Sequence, residues 1–276
     1  MTRPPMTWKR RLLRLLAILA AAYAFWCTLV AWRLHAAMFP RDFAGRPEAP
    51  VLHAGWTRLT HTPADDPRAS VEAWLHQPAD AAHASRCVVF FHGNAELIDH
   101  QLDLADEYAQ RGCAVLLIEY RGYGRTTGSP TQAAIVADAI AIIDALPNAI
   151  DRAGLIYHGR SIGGAVAAQV ATERRPAALI LESTLTSTLA FTRRMGVPDF
   201  LIASPWRTDR ALPAIDVPVL LLHGRHDTII PPDHSRTLAA LAPRTTLVEL
   251  DGGHNDFPHD RVAYWDAIDA HLRTIP

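Results

Sequence analysis

The stretch Leu155–Ala168, LIYHGRSIGGAVAA, constrains this chain more than any other. At its centre Gly159-Arg160-Ser161-Ile162-Gly163 spells G-x-S-x-G. A short apolar run, Leu155–Tyr157, comes before it, and a run of small residues, Gly164–Val170, comes after. That order reads as strand, sharp turn and helix. Such a turn strains the backbone at Ser161, so the positions two before and two after must be as small as glycine. It also lifts the hydroxyl out of the sheet at the start of a helix. There the helix N-terminus and the Ile162 amide favour developing negative charge. G-x-S-x-G alone is a common pattern, and the strand–turn–helix context gives it meaning.

The surrounding pattern agrees. From Cys87 onward, short and wholly apolar runs (CVVFF, AVLLIEY, LIY, ALILE, PVLLLH, TLVEL) alternate with helical patterns. The helical patterns cover Ile98–Gln110, Thr131–Leu146, Ile162–Arg174, Pro232–Leu241 and Pro258–Arg273. Runs of this kind suit strands buried on both faces, and the alternation implies right-handed crossovers and a mainly parallel sheet. Gly55–Thr60 and Ser70–Gln77 alternate apolar and polar residues around HTPADDPRA, which predicts an antiparallel hairpin. Residues 183–213 break the rhythm. They read either as an extra packed helix pair or as a small cap whose apolar residues line an acyl-binding cleft. A length of 276 residues allows one large α/β domain and a short extension.

The extension is N-terminal. Leu15–Trp32 runs 18 residues without a charge, at the lower end of what spans a bilayer. Leu12 and Leu13 extend it if Arg14 snorkels. Arg3, Lys9, Arg10, Arg11 and Arg14 precede the run; Arg33 and Arg41 follow it, offset by Asp42. This asymmetry predicts a single-pass anchor over residues 1–38, with its N-terminus cytoplasmic and the remaining domain, 39–276, outside, in a bacterial periplasm. Trp8, Trp26 and Trp32 suit interfacial anchoring. A cleaved signal sequence, with Ala22-Tyr23-Ala24 as its A-x-A site, and an amphipathic helix of a soluble protein remain as alternatives. The apolar run continues past that site to Trp32, which favours the anchor. The proline-rich Phe39–Pro50 reads as a linker. The net charge of −1, with no basic stripe outside the N-terminus, argues against nucleic acid. Cys27, Cys87 and Cys113 are too few for a disulfide scaffold. Cys87 and Cys113 read as small buried hydrophobes, and their pairing stays open only for an exported domain.

A serine hydroxyl is a weak nucleophile and needs a base, an orienting acid and donors for an oxyanion. In this strand order the partners should follow as acid, then histidine, on loops after later strands. Gly224-Arg225-His226-Asp227 follows PVLLLH, and Asp251-Gly252-Gly253-His254 follows TLVEL. Asp227 and His254 are therefore the expected acid and base. His223 and His226 are weaker alternatives for the base. Glu182, at the end of ALILE, is a rival acid whose other reading is a local hydrogen bond fixing the start of the 183–213 segment. Asp256 sits too close to His254 to orient it easily. The oxyanion donors should be the Ile162 amide and, in the turn Phe91-His92-Gly93-Asn94-Ala95, the Asn94 amide. Tyr120-Arg121-Gly122-Tyr123-Gly124 is a weak motif by itself. Without G-x-x-x-x-G-K-[ST], H-E-x-x-H or paired C-x-x-C, nothing calls for a cofactor or metal.

Together, FFHGNAE (Phe90–Glu96), EYRGYGRTTGSP (Glu119–Pro130), GRSIGG (Gly159–Gly164), LESTLTS (Leu181–Ser187), HGRHDTIIPP (His223–Pro232) and GGHND (Gly252–Asp256) resemble a known family. It is the membrane-anchored branch of α/β-hydrolase-domain serine hydrolases, with lysophospholipase-like, monoacylglycerol-lipase-like and depalmitoylase-like members. The resemblance runs from about Phe39 to the C-terminus. It implies an α/β-hydrolase fold: an eight-stranded, mainly parallel sheet with helices on both faces and a small cap, behind a transmembrane helix. It implies Ser161, Asp227 and His254 as a catalytic triad and Asn94 and Ile162 as oxyanion donors. It also implies hydrolysis of a small-molecule ester, thioester or lipid-like acyl substrate, with no cofactor and no obligate protein partner. Arg125-Thr126-Thr127 departs from the small serine-containing turn more usual there and reads as a structural change. A peptidase or acylaminoacyl hydrolase using the same triad, and an inactive membrane-tethered binding protein, are the competing readings.

Overall fold

The computed structural model describes residues 7–40, 45, 52, 55–78 and 86–275. The β-branched and leucine-rich runs form strands: β1 (Trp56–His61), β2 (Val71–His76), β3 (Cys87–Phe91), β4 (Ala114–Ile118), β5 (Leu155–Arg160), β6 (Ala178–Glu182), β7 (Val219–Gly224) and β8 (Thr245–Leu250). They make one eight-stranded sheet in the order β1-β2-β4-β3-β5-β6-β7-β8. The hairpin β1–β2 and the β2–β4 pair are antiparallel, and every other pair is parallel. The expected α/β-hydrolase architecture is therefore the observed one.

Alternation along the strands splits the core into two layers. Val89, Phe91, Leu116, Tyr157, Leu179 and Leu221 face one layer, with α3 (Gln132–Asp144) and α4 (Ile162–Glu173) packed over it. Val88, Phe90, Leu117, Ile156, Ile180 and Leu220 face the other, under α2 (Leu102–Gln110) and the C-terminal helix. The described helices follow the expected ranges to within a few residues. Thr131 caps α3 by accepting the Ala134 N–H at 3.1 Å. One strand departs from its sequence pattern: β8 is half-exposed rather than buried on both faces, because it lies at the sheet edge and, among the described residues, pairs only with β7.

Residues 183–213 carry only short pieces: α5 (Leu189–Arg193), a 3₁₀ turn at Asp199–Leu201, α6 (Thr208–Ala211) and the start of a further 3₁₀ turn at Leu212–Ala214. The two helices there have five and four residues. Trp206 is fully buried, at a left-handed φ of 42°, and pins the C-terminal side of the segment to the core.

The N-terminal helix α1 (Trp8–Met38) has 31 residues and is long and apolar enough to cross a membrane. It is not an isolated rod. Cys27 and Val30 are buried against Leu189, Val197 and Ile202 of the 183–213 segment. The Tyr23 hydroxyl donates to the Gly196 carbonyl at 2.7 Å, and the Trp26 indole to the Met195 carbonyl at 3.0 Å. Most of the expected linker Phe39–Pro50 lies outside the described residues. Cys27, Cys87 and Cys113 are free and buried, and burial pushes the Cys87 thiol up to about 12. The 183–213 segment is followed by α7 (Asp233–Leu241) and α8 (Arg261–Leu272), which complete the layers.

On α8, burial drives the His271 imidazole down from its usual 6.5 to about 4. The ring is neutral in both folded and unfolded chains above pH 6.5. Between pH 6.5 and 4 only the unfolded chain takes up the proton, so stability falls as pH falls through that window, by about 3 kcal/mol at most. Urea titrations at pH 7 and pH 4.5 should show a smaller acid loss for His271→Leu than for the wild type. Equal losses would show that His271 does not contribute.

Candidate active site

The end of β5 turns directly into α4, and Ser161 sits in the turn at φ 55° and ψ −119°. A non-glycine residue with such a φ is a real strain, and the neighbouring chain holds it there. The Ser161 N–H donates to the Glu182 carbonyl at 2.7 Å. The Ser161 carbonyl accepts from the Thr184 hydroxyl at 2.8 Å and the Gly164 N–H at 3.1 Å. The glycines are spatial necessities. A Cβ on Gly163 would stand 2.0 Å from the Phe91 carbonyl oxygen, and one on Gly159 2.2 Å from the Gly163 carbonyl oxygen. The following Gly164 is equally tight, with a Cβ 2.5 Å from the Thr184 hydroxyl.

The structure brings Ser161, His254 and Asp227 into one line. His254 Nε2 lies 3.0 Å from the Ser161 hydroxyl oxygen, and His254 Nδ1 lies 2.6 Å from Asp227 Oδ2. With Asp227 ionised, Nδ1–H donates to it and Nε2 is left to accept from the serine. The other Asp227 oxygen is fixed by the Ile229 and Ile230 N–H groups at 2.9 and 2.8 Å. Burial alone would raise the Asp227 pKa. Hydrogen bonds from His223, His254 and the Ile230 amide outweigh it and hold the carboxyl well below the usual carboxylate range. The β7 and β8 loops meet closely because Gly224 has no side chain: a Cβ there would come within 2.5 Å of the Gly252 carbonyl oxygen. His226 N–H donates to that same carbonyl at 3.0 Å.

The rival residues fall elsewhere. His223 is buried, with Nδ1 2.6 Å from the Ser235 hydroxyl and Nε2 2.8 Å from the Ile230 carbonyl, so it braces the Asp227 loop. The exposed His226 pairs with Asp251 at 3.1 Å. Asp256 accepts from the Gly253 N–H at 2.8 Å and lies 2.8 Å from His259 Nε2. Glu182 corrects an expectation. Its carboxylate does not fix the start of the 183–213 segment; it accepts from the Tyr264 hydroxyl of α8 at 2.7 Å and pairs with Arg160 at 3.2 Å. Only its backbone carbonyl serves the turn, through Ser161.

A cavity of about 220 Å³ opens over Ser161, lined by Gly93, Asn94, Glu96, Arg160, His254 and Asn255 among others. Asn94 and Ser161 therefore share one cavity, and as the first residue of α4, Ile162 has an N–H with no acceptor inside the helix. The Asn94 loop is braced from below. Buried His92 places Nε2 2.7 Å from Glu119 and stacks on Tyr120 at 4.0 Å. Burial opposes a charge on His92, but Glu119 outweighs it and raises the imidazole pKa. Sequence reasoning missed Glu96 and Arg160. Arg160 fills the variable position of G-x-S-x-G, yet it pairs with Glu96 at 2.7 Å and donates to the His254 carbonyl at 3.3 Å. No spacing rule marks that position. Arg125 is structural, as expected from its sequence: it donates to Glu72 at 2.8 Å and to both Asp99 oxygens at 2.9 Å.

An eight-stranded sheet with a strained serine between β5 and α4, faced by a histidine and an aspartate from the β8 and β7 loops, defines the α/β-hydrolase class. Comparison with known proteins agrees. Residues 82–195 match the family described as serine aminopeptidase, S33, and residues 203–260 match the one described as alpha/beta hydrolase fold. WAV2 of Arabidopsis thaliana, an alpha/beta hydrolase domain-containing protein, is 37% identical over 192 residues, 60% of this chain and 62% of that protein. YfhR of Salmonella typhimurium is 30% identical over 213 residues, 70% of this chain and 73% of that protein. An esterase of Pyrococcus furiosus superposes with a TM-score of 0.65 at 14% identity, covering 83% of this chain and 97% of that one. The chain belongs to the α/β-hydrolase family, and it spans just under two thirds of the length of WAV2.

The elbow geometry sets a local test. Gly163→Ala forces a Cβ against the Phe91 and His92 carbonyls, and overpacking of this kind costs roughly 1–3 kcal/mol. The expected result is a lower Tm together with weakened reactivity of Ser161 toward a fluorophosphonate. An unchanged Tm would mean that the turn has slack absent from this geometry.

Proposed function

We propose that this protein is a serine hydrolase that cleaves carboxylic ester or thioester bonds of lipid-like acyl substrates through an acyl-enzyme. The carrying observation is the aligned series from Ser161 through His254 to Asp227, ending on a carboxylate held ionised. In this reading His254 Nε2 takes the Ser161 proton as the oxygen attacks the acyl carbon. Asp227 keeps Nδ1 protonated and stabilises the imidazolium. The Asn94 and Ile162 amides receive the oxyanion. His254 then protonates the leaving alcohol or thiol, activates water on the acyl-enzyme, and the acid is released. Residues 39–276 form the catalytic unit with 183–213 as its cap. Residues 1–38 form a single-pass anchor with the N-terminus cytoplasmic, which the charge asymmetry around α1 supports. The Pyrococcus furiosus protein is named an esterase, which agrees with this reading.

The family matched at residues 82–195 is described as an aminopeptidase, which favours amide hydrolysis as a second reading. Glu96 weighs against it. Among the described residues it is the one carboxylate lining the Ser161 cavity, and Arg160, the Gly93 N–H at 2.9 Å and the Gln101 amide at 3.2 Å already engage it. A substrate ammonium would find no uncompensated charge there.

Labelling of the full-length protein with a fluorophosphonate should succeed for the wild type and vanish in Ser161→Ala, with Tm unchanged. Hydrolysis of p-nitrophenyl esters should vanish in parallel, while aminoacyl p-nitroanilides remain poor substrates for the wild type. Labelling that survives in Ser161→Ala would sink the assignment of the nucleophile. For Asp227→Asn the expectation is a kcat on p-nitrophenyl butyrate lowered by about 10⁴, because the asparagine favours the wrong histidine tautomer. A loss below tenfold would remove Asp227 from the orienting role.

A further inference from the structure

Where α1 meets the 183–213 segment there is an apolar groove of about 430 Å³, distinct from the Ser161 cavity. Its walls are Trp26, Leu29, Val30 and Leu34 from α1 and Phe191 and Met195 from or just beyond α5. Arg33 and Thr192 are also in the lining. Its volume falls within the usual range of small-ligand sites. Its far end is Ala37, whose carbonyl accepts from the Asn94 side-chain amide at 3.0 Å. Asn94 also lines the Ser161 cavity, so a single residue joins the end of the groove to the site.

We propose that this groove binds one acyl chain of a bilayer lipid and delivers its carbonyl end toward Ser161. The proposal rests on the hydrolase reading above and adds where the chain lies and where it comes from. One wall is the helix that is long and apolar enough to cross a membrane. Leu29 and Val30 fall in the last third of its uncharged stretch and Trp26 just before it, whereas Ala37 lies beyond it, past Arg33. From Trp26 to Ala37 the helix rises about 16 Å, so the groove runs from within the uncharged stretch to the part of the helix beyond it. The other wall has apolar rims to match: Met195 is 53% exposed, Phe200 85% and Leu201 41%. Large exposed apolar side chains beside such a helix suit lipid contact. The hydrogen bonds from Tyr23 and Trp26 hold the two walls together, so the groove is preformed rather than opened by the ligand.

The test uses the full-length protein in phosphatidylcholine vesicles containing a phosphatidylcholine with a terminal diazirine on one acyl chain. With Ser161→Ala, photolabelling should modify Phe191 and Thr192. Adding Leu29→Trp, which fills the groove, or Ala37→Leu, at its far end, should lower that labelling at least fivefold. Ala37 is an exposed helix position, so its variant keeps the test readable should Leu29→Trp fold poorly. On the Ser161 background, the ratio of kcat/KM for p-nitrophenyl palmitate to that for p-nitrophenyl acetate should fall at least tenfold in each variant. Labelling confined to outward-facing residues such as Leu16, Leu19 and Phe25, or a ratio that neither variant changes, overturns the groove assignment. Photolabelling needs no turnover. Its failure with Ser161 still reactive toward fluorophosphonate rejects the groove and spares the hydrolase reading, while an unreactive Ser161 with groove labelling intact does the reverse.

Discussion

The backbone of Ser161 is held where a non-glycine residue resists going, and the remainder of the site is arranged around that constraint. Three contacts enforce it, from the Glu182 carbonyl, the Thr184 hydroxyl and the Gly164 amide. Each comes from an element that exists for another reason: β6, the chain just beyond it, and the first turn of α4. The strain is therefore supported by the parallel sheet itself, since β6 runs beside β5 in a register that pairs Arg160 with Glu182. A local loop could not supply this, because nothing would stop it from relaxing.

A second layer of charge surrounds the elbow. Arg160, one residue before the serine, spans Glu96 and Glu182. Glu96 in turn fixes the Gly93 N–H, and Glu182 fixes Tyr264 of the last helix. The Asn94 loop, the serine turn and α8 are thereby tied through one guanidinium. A partly buried network of this kind is rigid only when its members are satisfied. Burial pushes the Glu182 carboxyl up, but His158 and Arg160 outweigh that and bring it down, so it stays a charged partner for the arginine.

Much of this was legible in the sequence, for physical reasons that differ between parts. The strands of the parallel region were visible because burial on both faces leaves continuous apolar runs, and the hairpin because its alternation has a period of two. The positions of Ser161, Asp227 and His254 were readable because glycines and strand ends mark where the backbone must turn. Arg160 and Glu96 were not, since a surface-type residue in a variable motif position carries no periodicity. Glu182 was misassigned because its partner Tyr264 lies 82 residues away, beyond any local rule. The 183–213 segment was ambiguous for the same reason: Phe191, Met195 and Val197 belong to no strand pattern, and what packs against this segment is α1, more than 150 residues earlier in the chain.

The packing of α1 on that segment turns what could have been a tether into a mount. A domain on a flexible leash samples every attitude above a bilayer. One bolted through Tyr23 and Trp26 keeps the attitude of its helix. Where α1 spans a membrane, its tilt adjusts to the thickness of the hydrocarbon layer, and the domain must tilt with it. The height and angle of the Ser161 cavity over the lipid surface then become functions of bilayer thickness, a mechanical input with no ligand and no effector site.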